Sequence, residues 1–190
     1  MYGERYLALL HPVIFPDDDF KNVLLKKTGL QLQWLKDAGF LPANYNSLDY
    51  SLAISNQCYT FVRTVLNNAR PVLEKLTARY PLALVSNFYG NIETVLKDFG
   101  LRDYFGEVIE SSVVGIRKPD PAIFALGVKS LGLKPEEIVV VGDSYKKDIF
   151  PAMQTGCRTI WLKGAGWDGD EQGTADFIIT DFRELETLLL

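Results

Sequence analysis

The chain has 190 residues and a net charge of −4 at pH 7, with 47% hydrophobic and 23% charged residues. This composition is typical of a soluble globular protein with one sizeable core, and its scattered Lys and Arg residues argue against nucleic acid as a partner. No apolar run approaches the roughly 20 residues of a membrane span, and the start lacks the features of a signal peptide, so we expect a cytoplasmic protein.

Residues 1–69 are predicted to form a helical lobe. Apolar residues recur there with a period near 3.6, at about residues 20–35 and 48–66, and the same period resumes at 72–80. A run of three aspartates, Asp17 to Asp19, stands where acidic residues favour the start of a helix. The composition changes near Pro71, so we place a second domain over residues 70–190.

From residue 81 onward, short apolar runs alternate with helical periods, which indicates parallel strands joined by crossover helices. Glycines follow three of the helical segments and are expected to end them. The predicted fold class is therefore α/β, a doubly wound parallel sheet preceded by the helical lobe. Strands are expected at residues 82–85, 107–109, 138–141, 159–162 and 177–179, and helices at residues 92–99, 121–131, 147–155 and 183–190.

Ser86 and Asn87 follow the first apolar run of this half, so a hydroxyl and an amide would project at the carboxyl edge of a buried parallel strand. That edge is where open α/β sheets bind ligands. A Ser-Asn pair after a strand is also a common helix cap, so the pair alone leaves both interpretations open.

Lys118 precedes a Pro-Asp-Pro sequence that begins a helix, so Pro119 and Pro121 restrain its backbone while its side chain can reach inward. A lysine held in this way suits a phosphate, which needs a compact positive charge as negative charge develops in the transition state. A solvent-exposed lysine before a helix that starts with proline fits the local sequence equally well.

Asp143 follows an apolar run and Gly142, which places a carboxylate at the tip of a buried strand, and Asp148 comes five residues later. Mg²⁺ prefers oxygen ligands and usually takes one or two protein carboxylates together with substrate phosphate and water. Asp143 and Asp148 are therefore candidate Mg²⁺ ligands, although a strand followed by Gly-Asp-Ser is also a common turn.

The histidine and cysteine content excludes several other chemistries. His11 is the only histidine, so one chain can build neither a histidine-based metal site nor a Ser-His-Asp triad. Cys58 and Cys157 lie far apart within apolar segments and match no zinc or disulfide pattern. We expect both to be buried free thiols in a reducing compartment.

Together these segments resemble the haloacid dehalogenase superfamily of hydrolases, which are mostly phosphatases, and the resemblance covers residues 81–190. It is strongest at residues 115–124, Gly-Ile-Arg-Lys-Pro-Asp-Pro-Ala-Ile-Phe, and at residues 140–144, Val-Val-Gly-Asp-Ser. The resemblance implies Mg²⁺-dependent hydrolysis of a small phosphorylated metabolite, a phosphate monoester, through an aspartyl-phosphate intermediate. It also implies that the helical lobe is a cap.

The resemblance implies a role for each candidate residue. Ser86 and Asn87 would bind the phosphoryl oxygens, and Lys118 would neutralise their charge, which makes Ser86 and Lys118 catalytic as well as substrate-binding residues. Asp143 would be the Mg²⁺ ligand, and Asp148 would support the same metal site.

The first motif of the family is where this sequence departs from the pattern. That motif is an apolar strand ending in Asp-x-Asp, whose first carboxylate attacks phosphorus, and covalent catalysis cannot proceed without it. In one interpretation, residues 1–70 are the cap that follows the motif, and the chain starts after the motif has been lost. In the other, residues 13–15 form the first strand. The nucleophile and acid positions are then Pro16 and Asp18 or, in a frame shifted by one, Asp17 and Asp19.

We expect turnover by this chain to be absent or severely reduced, and robust turnover would point to Asp17 or Asp18 as a substitute nucleophile. The alternative function is a non-catalytic phosphate-binding or protein-interaction module on the same fold.

In this family the first strand is central, between the strands that end at Ser86 and Asp143. Its loss would leave unpaired edges on both neighbours. Each unpaired buried backbone group would lower the stability of the fold by about 1–3 kcal/mol. We expect that residues 6–15 replace it, that the two neighbours close up, or that the isolated chain is only marginally stable. An incomplete sheet also favours a partner on its exposed edge, such as a second copy in a homo-oligomer.

Overall fold

The computed structural model describes residues 13–42, 44–164 and 173–190, and the chain divides into two compact units. The helical unit contains the described residues up to Asn68 together with Tyr89–Arg102, and the sheet unit contains Ala69–Phe88 and Asp103–Leu190. Within the described ranges, no helix combines the length and the apolar character needed to cross a membrane.

The helical unit contains α1 (Phe20–Asp37), the first two thirds of α2 (Ser47–Thr77) and α3 (Ile92–Asp98). The helix start predicted at the aspartates is confirmed, because the Asp19 carboxylate caps α1 by accepting a 2.7 Å hydrogen bond from the Asn22 backbone N–H. The two helical stretches predicted on either side of Pro71 form one helix, since α2 continues through this proline without a break.

Residues 13–15 do not form a strand, so the interpretation that made them the first strand of the sheet is wrong. Ile14 is instead buried against Val23 within the helical unit. The loop that follows is held by Asp18, whose carboxylate accepts hydrogen bonds from the Phe15 N–H at 2.7 Å and from Lys26 Nζ at 2.5 Å. These contacts make Asp18 a structural residue of the helical unit.

Asp18 is expected to stabilise the helical unit in a pH-dependent way. Burial alone would raise the pKa of Asp18, but the hydrogen bonds from Lys26 and Phe15 outweigh it and hold the pKa below the ordinary 3.8. Because the pKa of Asp18 is lower in the folded chain than in the unfolded chain, the ionised carboxylate stabilises the fold above pH 3.8. This stabilisation is lost as the pH falls through the pKa of the folded chain. Asp18→Asn should therefore cost about 2 kcal/mol at pH 7 and progressively less below pH 4.

Urea unfolding at pH 7, 5 and 3.5 would measure this difference. Asp17→Asn is the matched control, because Asp17 is the exposed neighbour of Asp18. A cost of Asp18→Asn that stays constant over this pH range would contradict the assignment.

In the described ranges the sheet unit has five parallel strands, each within one residue of its predicted position. The α/β class is thus confirmed, and the helix predicted at residues 147–155 begins as a π-helical turn, Tyr145–Ile149. The strands are β1 (Ala83–Ser86), β2 (Glu107–Glu110), β3 (Val139–Gly142), β4 (Arg158–Leu162) and β5 (Phe177–Ile179). The helices are α4 (Ser111–Val114), α5 (Ala122–Leu131), α6 (Phe150–Gln154) and α7 (Glu184–Leu189), with short 3₁₀ turns at Arg102–Tyr104 and Pro135–Glu137.

Two apolar clusters of described residues lie in the core of the sheet unit. The first joins β4 and β5 to the end of α2 and to α7, and the second joins β2 to α5 and α6. Cys157 is buried in the second cluster as expected, whereas Cys58 is exposed on α2, contrary to the prediction. The buried residues of the first cluster are Val72, Leu76, Ile160, Ile179 and Leu185, and those of the second are Ile109, Ile123, Phe124, Ala152 and Cys157.

The strands form two parallel sheets in the described part of the chain, where one continuous sheet was predicted. β1 pairs only with β2, and β3, β4 and β5 form the second sheet in that order. β1 and β3 are not hydrogen-bonded to each other, so the expectation that these neighbours close up is wrong. Residues 6–12 of the expected replacement strand lie outside the described residues, and residues 13–15 belong to the helical unit.

Candidate phosphate and metal site

Lys118 connects the carboxyl ends of β1 and β3. Its Nζ donates a 2.6 Å hydrogen bond to Asp148 Oδ1 and a 3.2 Å hydrogen bond to the backbone carbonyl of Val85. Val85 is the third residue of β1, and Asp148 lies six residues beyond the end of β3. The side chain of Lys118 is 16% exposed and that of Asp148 8%, so this ion pair is largely shielded from water.

Asn87 holds the backbone of Lys118 at both of its polar groups. The Lys118 N–H donates to Asn87 Oδ1 at 2.9 Å, and Asn87 Nδ2 donates to the Lys118 carbonyl at 3.0 Å. The peptide bond between Lys118 and Pro119 is cis. The flanking prolines therefore supply only part of the restraint on Lys118, and this pair of hydrogen bonds from the loop after β1 supplies the rest.

The two candidate metal ligands interact with each other. Burial raises the pKa of the Asp143 carboxyl, and the negative charge of Asp148 raises it further. Asp148 is itself buried, and its Oδ2 accepts a 3.1 Å hydrogen bond from the Ser144 N–H. The Asp143 backbone is held separately, because Trp161 Nε1 donates to its carbonyl at 3.1 Å.

The residues at this position fit a bound Mg²⁺. Two adjacent carboxylates repel each other when both are ionised, and a divalent cation would relieve the repulsion that raises the pKa of Asp143. No cluster of three or more His, Cys, Asp or Glu side chains suited to a metal ion occurs in the ranges that the structure describes. The described protein ligands would thus be two carboxylates, a number that Mg²⁺ accepts when water and phosphate complete its shell.

Gly142 allows Asp148 to approach the end of β3. A Cβ atom added at Gly142 would lie 2.3 Å from the Asp148 Cβ and 2.9 Å from its Cγ. The backbone at this position is also fixed, because Gly142 is in register with Trp161 of β4. The need for glycine here depends on the approach of Asp148, which its place in a turn does not indicate.

Ser86 is the last residue of β1 and lies next to the site, one position after Val85. Among the described residues, no hydrogen bond links its hydroxyl to Lys118, Asp143 or Asp148. Its partner in the register is Glu110, a buried carboxylate that is not among the predicted site residues. The only sequence signal for Glu110 was its position at the end of a predicted strand.

The site borders a cavity of about 720 Å³ within the sheet unit. We call it the interstrand cavity, because residues 83–85 of β1 and residues 139–142 of β3 line it together. Lys118, Asp143 and Asp148 also line it and provide its charged groups near the carboxyl ends of these strands, while most of its remaining lining is apolar.

Comparison with known proteins identifies relatives that act on phosphate esters. A glyceraldehyde 3-phosphate phosphatase from Pyrococcus furiosus is 30% identical over 143 residues, which cover 73% of this chain and 59% of the relative. A phosphoserine phosphatase from Thermus thermophilus is 34% identical over 105 residues, which cover 55% of this chain and 42% of the relative. The chain thus spans about half the length of these curated relatives.

Structural comparison agrees with the sequence relatives. The crystal structure of an HAD phosphatase from Thermococcus onnurineus has a TM-score of 0.57 and 25% sequence identity, and the match covers 98% of this chain and 91% of that one. The model of the haloacid dehalogenase-like hydrolase family matches residues 7–154, well over half of the chain. The chain therefore belongs to the family of haloacid dehalogenase-like hydrolases.

Proposed function

We propose that the protein acts on a small phosphorylated metabolite, a phosphate monoester, and that its phosphate site lies at Lys118 in the sheet unit. The observation that carries this proposal is the position of Lys118. Asn87 holds its backbone, and its ammonium group lies 2.6 Å from Asp148 Oδ1. An anion bound there meets a fixed positive charge at the carboxyl ends of two strands, where α/β sheets bind ligands. The phosphatases among its relatives support the same substrate class.

In this proposal, each side chain acts on the phosphoryl group or on its surroundings. The Ser86 hydroxyl and the Asn87 amide bind phosphoryl oxygens, and Asn87 also positions Lys118. The Lys118 ammonium offsets the negative charge that develops on these oxygens. Asp143 and Asp148 would hold Mg²⁺, which when bound supplies further positive charge beside the phosphate.

We further propose that residues 1–190 alone hydrolyse such an ester poorly or not at all. Family members attack phosphorus with a carboxylate at the end of a central strand, and residues 13–15 do not form such a strand. The split between β1 and β3 also favours the second candidate, a module that binds phosphate or another protein without hydrolysis. The two free cysteines remain consistent with a proposed cytoplasmic location.

Thermal unfolding with and without ligands tests the proposed site. Mg²⁺ and inorganic phosphate, each at about 100 times its own dissociation constant, should together raise the Tm by about 5 to 10 °C. Asp143→Asn should abolish the part of the shift that depends on Mg²⁺, because it removes one of the two carboxylate ligands. Asp103→Asn is the matched control, since Asp103 is exposed and lies outside the site. Equal shifts in both variants would contradict the site.

Hydrolysis of p-nitrophenyl phosphate by the same chain tests the proposed loss of turnover. With Mg²⁺ present, we expect phosphate release by the chain to be no faster than release by its Lys118→Met variant. Robust release that requires Mg²⁺ and is lost in Lys118→Met would refute the proposed impairment while supporting the site. Ligand-induced stabilisation without release would support the binding module.

A further inference from the structure

Trp161 of β4 contacts the segment that carries the two carboxylates of the site. Its Nε1 donates a 3.1 Å hydrogen bond to the backbone carbonyl of Asp143. Its ring lies against the ring of Tyr145, with the two centroids 5.5 Å apart and the ring planes inclined by 51°. Aromatic rings attract each other at this distance and tilt. One side chain thus holds the chain on both sides of Ser144.

The side chain of Trp161 is itself held in place. It is 3% exposed, and its residue pairs in register with Gly142 of β3 on one side and with Ile178 of β5 on the other. Lys163 Nζ lies 4.8 Å from the centre of the Trp161 ring, which is a cation–π contact. Because its backbone and its ring are both restrained, the indole is a rigid donor to the Asp143 carbonyl.

Tyr145 connects this indole to the second carboxylate. It is the first residue of the π-helical turn that contains Asp148. Ser144 anchors the turn, because its carbonyl accepts a 2.8 Å hydrogen bond from the Asp148 N–H. The Ser144 N–H in turn donates to Asp148 Oδ2 at 3.1 Å. A displacement of residues 143–145 would therefore move both carboxylates of the site.

We propose that Trp161 is a positioning residue of the metal site, which fixes the Asp143 and Asp148 carboxylates relative to each other and so raises the affinity for Mg²⁺. This inference rests on the proposed function, in which Mg²⁺ binds at these two carboxylates. Mg²⁺ demands near-ideal octahedral geometry, so small displacements of its ligands weaken binding. Residues that orient metal ligands commonly change metal affinity by about tenfold or more. Trp161 acts through the backbone and does not touch the metal ion.

Isothermal titration calorimetry of the full chain with Mg²⁺, in the presence of inorganic phosphate, tests this role. Trp161→Phe keeps an aromatic ring but removes the N–H donor, so it should raise the dissociation constant for Mg²⁺ about tenfold. A residue that served only the core would lower the Tm and leave this dissociation constant unchanged. Each variant is titrated well below its Tm, so that loss of folded protein does not imitate weaker binding.

Tyr80→Phe is the matched control. Tyr80 Oη donates a 2.6 Å hydrogen bond to the Leu189 carbonyl, so this substitution also removes an aromatic donor from a backbone carbonyl. Tyr80 precedes the amino end of β1, whereas the site lies at the carboxyl ends of the strands. The control should leave the dissociation constant for Mg²⁺ within about twofold of that of the unmodified chain.

The outcomes separate this inference from the proposed function. Mg²⁺ binding by the unmodified chain with no weakening in Trp161→Phe, or with equal weakening in Tyr80→Phe, would overturn the inference and leave the proposed metal site standing. Failure of the unmodified chain to bind Mg²⁺ would overturn the metal site and the inference together.

The indole N–H resonance of Trp161 provides a second test by NMR on the unmodified chain, which decides if Trp161→Phe fails to fold. Mg²⁺ should shift this resonance, because the indole N–H donates to the carbonyl of a residue that holds the metal ion. The shift should saturate together with the calorimetric titration, and Asp143→Asn should remove it. A resonance that stays fixed while Mg²⁺ binds would overturn the inference.

Discussion

Replacing Lys118 by methionine should lower the free energy of unfolding of the sheet unit by about 3 kcal/mol. The ion pair of Lys118 with Asp148 is largely buried, so the substitution leaves a carboxylate without its cation in a poorly solvated position. It also removes the side-chain donor of the hydrogen bond to the Val85 carbonyl. Urea unfolding followed by far-UV circular dichroism would measure the loss.

A double-mutant cycle separates the ion pair from other effects of this substitution. Asp148→Asn combined with Lys118→Met should cost less than the sum of the two single changes, because either change alone breaks the pair. Lys129→Met is the matched control, since Lys129 is exposed on α5 and should change stability by at most about 0.5 kcal/mol. Additive costs in the cycle, or a Lys118→Met cost as small as that of the control, would refute the structural role of the pair.

Gly142→Ala should have the second large effect, a loss of about 1–3 kcal/mol. The new methyl group would overlap the Asp148 Cβ, which cannot move aside as freely as the end of a long side chain. The strand backbone cannot yield easily either, because β3 is paired with β4 at this position. The displaced Asp148 would no longer meet Lys118, so the Mg²⁺-dependent part of the Tm shift should also disappear.

Gly106→Ala is the matched control for this glycine. A Cβ at Gly106 would meet its nearest atom, the Leu82 carbonyl oxygen, at 3.8 Å, an ordinary contact distance. We expect Gly106→Ala to leave both the urea midpoint and the Mg²⁺ response nearly unchanged. A stable Gly142→Ala variant with an intact Mg²⁺ response would show that the close approach of Asp148 is not required.

The strands and most helices of the sheet unit could be predicted because their signals are local. The all-apolar runs that became β1 and β3, and the helical period of α5, are read within windows of ten or so residues. The order of a hydroxyl, a lysine and two carboxylates at strand ends was likewise visible along the chain. At Pro71 the local pattern predicted two separate helical stretches, but the structure has one helix. Packing of Val72 and Leu76 into the core holds this helix together through the proline.

The details of the site could not be read in the same way, because they depend on residues distant in the chain. Asn87 and Lys118 are 31 positions apart, and the match of their polar groups arises only when the loops after β1 and before α5 are brought together. Asp18 shows the same limit, since its position among three aspartates gave no sign that it would be the buried member paired with Lys26.

The fold class, the strand positions and the set of polar residues at the strand ends follow from the sequence alone, since periodicity and residue type carry that information. The contacts among those residues depend on the three-dimensional packing: Asn87 holds Lys118, Lys118 pairs with Asp148, and Gly142 gives Asp148 room. Strand pairing is a long-range property, so the separation of β1 from β3 and the apolar cavity between them became visible only in three dimensions.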